Sequence, residues 1–452
     1  MKGIEKFKGK RILVLGLAKS GEAAAKLLHK LGAIVTINDA KPYHENPQAQ
    51  QLDELGIRVV CGHHPVELLD DSFQLVVKNP GIPYENKMIK KAIELGIPVI
   101  TEIELTSILS EADIVAITGS NGKTTTTTLI GEMLENSSKK PVVAGNIGTV
   151  SCEVAESVTK DDCIVLEVSS FQLMGTVTFK PAISVLLNIF DAHLDYHGTK
   201  EAYIQAKTKI FANQNEQDWL IYNDDDSNLV KAVQHSNAKK VPFSTKRYLS
   251  NGASIKNGFV YFKQEPIIHT EDILLPGNHN LENVLAAIAV SLIMGAKKEH
   301  IQFVLKTFTG VRHRLQFVDE VEGKRFYNDS KATNILATEK AINAFSDPIV
   351  LLAGGLDRGN SFDSLIPSLE RVHTIITFGE TSAKIKEVAH IAGVEKVIDA
   401  EWMEDAVLLA FQHANKGDVI LLSPACASWD QYKTFEERGE RFVQAVESLS
   451  VK

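Results

Sequence analysis

Cysteine is scarce in this chain. Four residues in 452, Cys61, Cys152, Cys163 and Cys426, lie far apart, and none forms a CxxC pair. Their scatter argues against a structural zinc site and for a reducing compartment. Long apolar runs are missing too. The longest, VLAAIAVSLIMGA at 284–296, falls short of the ~20 apolar residues of a membrane span and predicts a buried helix. At the N-terminus, MKGIEKFKGKRILVLGLAKSG places basic residues before an apolar run that breaks too soon for a signal peptide, and it predicts a first strand. Positive charge is in deficit. A formal charge of −9 argues against general nucleic-acid affinity but is compatible with a local basic pocket. A cytoplasmic protein with neither membrane nor nucleic-acid partners is therefore expected. Hydrophobic residues at 44% and charged ones at 23% are the proportions of a soluble globular chain, and the length implies two to four domains.

What is present is organised around residues 112–129, ADIVAITGSNGKTTTTTL. A short apolar strand at 114–117 runs into a glycine-containing loop and then a helix. Gly119 and Gly122 let the backbone fold tightly, so that the loop amides point at phosphate oxygens. The helix start adds free N–H donors and the positive end of its dipole. Lys123 can reach the β/γ-phosphates, and the hydroxyl of Thr124 or Thr125 can ligate Mg²⁺. The general phosphate loop, GxxxxGK[ST], would put a glycine at 117, where this chain has Ile117. What stands here is GxxGKT. The competing reading is an ordinary strand-to-helix turn, which leaves the coincidence of glycine, lysine and threonine at one junction unexplained.

Residues 1–111 alternate strands and helices, the pattern of an α/β unit with a parallel sheet. Strands are expected at 11–16 and 33–39, around a helix from about 20 to 31, with further strands at IRVV, FQLVVK and IPVI and helices at QLDELG and KMIKKAIELG. The first turn, GLAKSG at 16–21, matches GxGxxG except at Ala18, where the glycine that admits a pyrophosphate would stand. Asp39 ends the second strand, where a dinucleotide fold binds a ribose hydroxyl. This is a degenerate dinucleotide site or a related nucleotide site with other contacts, unless the glycines serve turns alone. Asn79-Pro80-Gly81 is a second strand-end loop expected on the same sheet edge.

Residues 112–310 form the second expected unit. AGNIG at 144–148 sets Asn146 between glycines. DCIVLEVSSFQL at 162–173 is an apolar strand ending in Glu167, where an NTPase holds Mg²⁺ beside its phosphate loop. A solvated strand-end carboxylate is the plainer alternative. AISVLLNIFDAHLDYHG at 182–198 runs from a strand into Asp191, His193, Asp195 and His197. On a helix the two histidines would face together and suggest zinc. Gly198 and the strand favour a loop, and hence Mg²⁺ with oxygen ligands and phosphates, leaving His197 structural or exposed. YIQAKTKIF at 203–211 reads as a helix with Lys207 and Lys209 on a solvated face. The stretch 219–270 is strand-rich, and its DDD reads as a solvated turn. LPGNHNLENVLAAIAVSLI at 275–293 enters a long helix with Asn280 and Asn283 in its first turns, near enough to a nucleotide to matter.

Residues 311–452 read as a third α/β unit. GVRHRLQFV gathers Arg312, His313 and Arg314, which either reach a nucleotide phosphate or lie in a solvated linker. KRFYNDSKATN, PIVLLAGGLDRGNSF and DVILLSPACASWDQYKTFEERGERF each run from a strand into a loop. Three such loops on one edge mark the usual ligand edge of an α/β sheet. Residues 428–431 fit S-x-x-Q, a capping box that would start the last helix at Ser428. Alternatively this loop and helix start grip a substrate carboxylate.

The residues thus describe an ATP-using α/β enzyme of three domains: N-terminal Rossmann-like (1–111), central P-loop ATPase-type with a parallel sheet (112–310), and C-terminal Rossmann-like (311–452). The motif set resembles the Mur ligases, ATP-dependent amide-forming enzymes of peptidoglycan precursor synthesis. TGSNGKTT is similar to that family's shortened phosphate loop, which accounts for Ile117. LEVSSFQL, NIFDAHLDYHG, YIQAK, GNHNLEN, HRLQ, NDSKATN and LLSPACASWDQYKTFEERG follow in the family's order across essentially the whole chain. The last is the most specific, since sister ligases for other amino acids differ most in the C-terminal domain.

The resemblance implies roles. Gly119, Ser120, Asn121, Gly122, Lys123, Thr124 and Thr125 would bind ATP, with Asn283, Arg314 and Asp329 on the nucleotide and Asn280 nearby. Thr124 and Glu167 would hold one Mg²⁺. His193 and Lys207 would hold a second, Lys207 as a carbamate, an anionic oxygen ligand that a lysine alone cannot be. Lys123, His193 and Lys207 would form the catalytic set. Leu17, Ala18, Asp39, Lys41, Gly81 and Asn146 would bind the UDP-sugar, and Lys331, Thr333, Arg358, Ser428 and Phe435 would bind D-glutamate. The implied reaction joins D-glutamate to UDP-MurNAc-L-Ala through an acyl phosphate made with ATP. A monomer with small-molecule substrates is expected. The rival from another class is a nicotinamide dehydrogenase built on GLAKSG and Asp39, against which Ala18 stands.

Overall fold

The computed structural model describes residues 1–190, 194–275 and 277–450. It contains three largely parallel sheets, one for each expected α/β domain, distributed over two compact units. One unit comprises Met1–Asp272 with His279–Lys306, and the other comprises Ile273–Asn278 with Thr307–Lys452.

In the first unit, the N-terminal sheet runs Arg58–Cys61, Ile34–Asp39, Arg11–Leu15, Leu75–Lys78, Val99–Ile100, all parallel. Ile12, Leu13, Val14 and Leu15 are all buried, as a strand covered on both faces requires. The strand order reverses between Arg11–Leu15 and Leu75–Lys78, and a ligand crevice opens at the carboxyl ends of such a switch point. Two glycines of the first turn are sterically required. Gly16 has φ +97°, and a Cβ on Gly21 would sit 1.9 Å from Gly16 O. Ala18 is extended (φ −86°, ψ 176°), a conformation open to any residue, so the turn closes without the middle glycine.

The second sheet has nine strands. Asp113–Thr118 lies between Asp162–Glu167 and Ile183–Leu186, with Lys140–Gly145 at one edge and the antiparallel meander of Ala253–Lys256, Phe259–Phe262 and Glu265–His269 at the other. The helix Glu102–Leu109 joins the two sheets into one body. Leu105 and Leu109 share a core with Ala24 and Leu28 of the N-terminal domain and with Cys152 and Ala155 of the central one. The buried carboxylate of Glu104 accepts hydrogen bonds from the amides of Val177, Thr178 and Phe179 at 2.7–3.0 Å. DDD is not a solvated turn. Asp226 caps the helix Ser227–Ala232 and accepts from Ile189 N, Asp225 accepts from Ser244 and Thr245, and Asp224 pairs with Arg247.

The sheet of the second unit runs Gln316–Val321, Lys324–Asn328, Val419–Leu422, Ile349–Gly354, Val372–Phe378, Lys396–Asp399, parallel except for the first pair. Its last helix is Phe435–Ser450 and does not start at Ser428. The Ser428 carbonyl closes a turn onto Gln431 N and Tyr432 N, and the Gln431 side chain donates to Glu401 O instead of reaching back. The helix start belongs to Thr434, whose hydroxyl accepts from Glu437 N at 3.1 Å, while Glu437 accepts from Lys433 N at 3.0 Å.

Candidate active site

The loop after Asp113–Thr118 bends as its glycines require. Gly122 has φ +81°, and a Cβ there would lie 2.1 Å from Asn283 Oδ1. Asn283 is itself held by Asn280 Oδ1 (3.0 Å) and by the Thr126 hydroxyl (3.3 Å), so the two asparagines brace the loop from the long helix. Asn121 N donates to Asn188 Oδ1 at 2.9 Å, and Ser120 Oγ accepts from Phe190 N at 2.9 Å. Lys123 folds back, its Nζ 2.9 Å from Gly119 O and 3.1 Å from Ser120 O. Thr124 and Thr125 lie nearly buried in the first turn of the helix Lys123–Leu134.

Lys207 overturns the expectation of a solvated face. It is 2% exposed, and its Nζ donates to Gly119 O (2.8 Å) and Thr118 Oγ1 (3.2 Å) while lying 4.7 Å over the Tyr203 ring. The helix Lys200–Thr208 buries Tyr203, Ala206 and Lys207 together, the i, i+3, i+4 face. Burial, and then the charge of Lys123, push the Lys207 amine far below the usual lysine range. Lys209 is also turned inward, donating to Met174 O at 2.8 Å.

Glu167 ends the strand beside the phosphate-loop strand, in register with Ile117. It is 2% exposed. Asn146 Nδ2 donates to its Oε1 at 2.9 Å, and its Oε2 is buried with no hydrogen-bond partner. That orphaned carboxylate oxygen is a donor of the kind a hard cation such as Mg²⁺ takes. Asn146, expected with the UDP-sugar group, is therefore tied to the candidate metal carboxylate. Asp191 and His193, and the side chain of Asp195, lie outside the described residues. Leu194–His197 form a helical turn where a loop was expected. His197 is buried and not exposed: Nε2 pairs with Ser170 Oγ at 2.9 Å, and the ring packs among Phe171, Tyr196 and Tyr203.

At the switch point of the N-terminal sheet three loops meet. Leu17 N donates to Asp39 Oδ2 (2.6 Å) and Lys41 N to Asp39 Oδ1 (2.8 Å), so Asp39 pins the GLAKSG turn to its own strand end. Asn79 Nδ2 donates to Ser20 Oγ at 2.9 Å, and Gly81 N to Asn79 Oδ1 at 3.1 Å. Ala18, Lys41 and Gly81 remain exposed around this junction.

In the second unit, Lys331 Nζ lies 5.6 Å over the Phe435 ring, and Thr333 N donates to Lys331 O. Arg358 lies over Trp429 at 4.9 Å, beside Ser428, whose buried hydroxyl has no partner. The two loops are joined by Leu356 N to Ala427 O at 2.9 Å. Asp329 accepts from Ser423 Oγ (2.9 Å) and Leu315 N (3.2 Å). Burial lifts its pKa to about 7 against those bonds and the charge of Arg314. Sequence reasoning missed Arg438. Fully buried, it donates to Ser330 Oγ and O, Cys426 O and, at 3.4 Å, Gly354 O, binding the loops after two strands to the end of a third.

Three family models match this chain: Mur ligase MurD-like, N-terminal domain over residues 10–101, Mur ligase middle domain over 117–291, and Mur ligase, glutamate ligase domain over 313–426. The UDP-N-acetylmuramoylalanine--D-glutamate ligase of a Geobacillus species is 58% identical over 450 residues, covering 99% of this chain and 100% of its own. Its counterpart from Halalkalibacterium halodurans is 59% identical over 449 residues, with the same coverage. Among solved structures, the UDP-N-acetylmuramate-alanine ligase MurC of Thermotoga maritima is similar in fold, with a TM-score of 0.58 at 18% identity, covering 97% of this chain and 99% of its own. The MurF ligase of the same organism, in complex with ADP, has a TM-score of 0.56 at 17% identity, covering 99% and 97%.

Proposed function

The chain belongs to the Mur ligase family, and on that footing we propose that it adds D-glutamate to UDP-N-acetylmuramoyl-L-alanine in an ATP-dependent step of peptidoglycan precursor synthesis. The observation that carries this reading is the convergence of Lys123 and Lys207 on Gly119 O, in a phosphate loop whose neighbouring strand ends in a buried, half-unpaired carboxylate. Such a site is built to take concentrated negative charge.

The reaction follows from that charge. An oxygen of the L-alanyl carboxylate attacks the γ-phosphorus of ATP, the bond to ADP breaks, and an acyl phosphate forms. The D-glutamate amine attacks the acyl carbon and loses a proton. Phosphate leaves and an amide remains. Lys123 and the loop amides of residues 119–124 stabilise the charge that builds on the transferred phosphoryl group. Thr124 and the free oxygen of Glu167 fit one Mg²⁺, and Lys207 with His193 would hold a second. Bound ions would offset phosphate charge during the transfer. For that role Lys207 is carbamylated. Its neutral amine, the form favoured by burial, adds to carbon dioxide, an N–C bond forms, a proton is lost, and the group becomes an anionic oxygen ligand. In the N-terminal domain Leu17, Ala18, Asp39, Lys41 and Gly81 contact the sugar nucleotide. In the second unit Lys331, Thr333, Arg358, Ser428 and Phe435 take D-glutamate.

The test is phosphate release with ATP, UDP-MurNAc-L-Ala and a panel of amino acids. Release is expected with D-glutamate. Release with L-alanine or L-lysine but not D-glutamate would overturn the reading.

A further inference from the structure

The N-terminal sheet contains a buried lysine that the reaction above leaves without a role. Lys78 ends the strand Leu75–Lys78 and is 1% exposed, although its strand neighbours Val76 and Val77 are apolar. Its ammonium meets neutral oxygens. Nζ donates to Ile82 O at 2.8 Å and to Pro80 O at 3.1 Å, and lies 3.4 Å from both Asn79 O and the Tyr196 hydroxyl. The Tyr196 hydroxyl in turn donates to Ile82 O at 3.1 Å and approaches Pro80 O at 3.4 Å. One ammonium and one phenol therefore share the carbonyls of the strand-end loop 79–82, the loop that contains Gly81.

The far side of this cluster leads to the phosphate-transfer site. Tyr196 packs edge-on to Phe171, with ring centroids 4.6 Å apart at 80°. Phe171 belongs to the helix Ser170–Met174, which starts three residues after Glu167. From the same helix Gln172 donates to Glu102 Oε1 at 2.7 Å, and the Glu102 charge acts back on Lys78. Burial lowers the Lys78 pKa only to about 8, so the amine is mainly charged at neutral pH and all three N–H groups can donate. Burying an ammonium is strongly unfavourable, and an apolar side chain would fill the strand end without that cost. The charge is retained where it organises backbone carbonyls.

We propose that Lys78 is a positioning residue for the sugar-nucleotide substrate. By gathering the carbonyls of loop 79–82 and the Tyr196 hydroxyl, it fixes that loop against the structure carrying Glu167. This rests on the assignment of loop 79–82 to the UDP-sugar.

The experiment is steady-state kinetics on the full chain with all three substrates, comparing Lys78→Met and Tyr196→Phe with the parent. Both variants are expected to raise KM for UDP-MurNAc-L-Ala, about tenfold for Lys78→Met and less for Tyr196→Phe. KM for ATP and D-glutamate should stay within about twofold of the parent. Tyr196→Phe removes one hydroxyl and covers the case in which Lys78→Met fails to fold. An unchanged KM for the sugar nucleotide, or a rise in all three together, overturns the inference. Absence of D-glutamate-dependent phosphate release from the parent enzyme would instead overturn the function on which it rests.

Discussion

Lys123 and Lys207 donate to the same carbonyl oxygen, and their surroundings separate their chemistry. Lys123 sits at the helix start, at the end of the glycine loop, where a phosphate would replace backbone oxygens as its partner. Lys207 is enclosed, and both burial and the neighbouring ammonium oppose its protonation. A neutral amine is nucleophilic, so the arrangement favours carbamate formation over a second fixed positive charge. Replacement Lys207→Ala removes the amine proposed to carry the carbamate and leaves the phosphate loop's sequence unchanged. D-Glutamate-dependent phosphate release should fall by about a thousandfold or more. Bicarbonate or small carboxylic acids should restore part of it by placing an oxygen anion in the vacated space. Wild-type turnover by this variant would remove the carbamate from the mechanism.

Among the elements, the last helix has a clear structural task. Arg438 reaches from the first turn to the last residue of the strand Ile349–Gly354 and into the loops that follow Lys324–Asn328 and Val419–Leu422, and its partners are carbonyls and one hydroxyl. Arg438→Met would leave those buried carbonyls without donors and should cost about 3 kcal/mol or more, read as a lowered denaturant midpoint. Because Ser428 and Lys331 belong to the tethered loops, KM for D-glutamate should rise in the same variant. An unshifted midpoint would show that water or other donors take its place. The sequence made much of this architecture legible. Strands buried on both faces read as apolar runs, and the glycines at 16, 21 and 122 marked turns that only glycine closes. What stayed hidden were polar groups on buried faces. Lys207 falls at the i+4 position from Tyr203 and Arg438 three residues after Phe435, so each shares a helix face with an aromatic side chain. A charge on such a face reads as solvated unless the neighbouring apolar spacing is weighed first. Ser428 misled for a different reason: S-x-x-Q is also satisfied by a tight turn, and the helix waits for Thr434. The resemblance assigns Asn146 to the UDP-sugar, whereas its partner Glu167 ends the adjacent strand, a pairing that sequence spacing does not reveal.

At the scale of the whole molecule, three sheets make two bodies because the first two share a core and the third has its own. Leu105 and Leu109 of the joining helix lie among side chains of both the N-terminal and central domains, and Glu104 satisfies three amides at 177–179. The second unit packs separate clusters around Leu351 and Leu421 on one sheet face and Ile420 and Phe442 on the other. Separate cores predict separate cooperative transitions in calorimetry of the full chain. Glu104→Ala would strand three amide donors and should lower the transition of the first unit, with the other held. Arg438→Met should lower the transition of the second unit, again with the other held. Adding ADP with Mg²⁺ should raise the first transition, since the phosphate loop belongs to that unit, and Lys123→Ala should abolish most of the rise. A single transition that both variants shift equally would mean that the chain unfolds as one body, and that the helix Glu102–Leu109 is not where its cooperativity is decided.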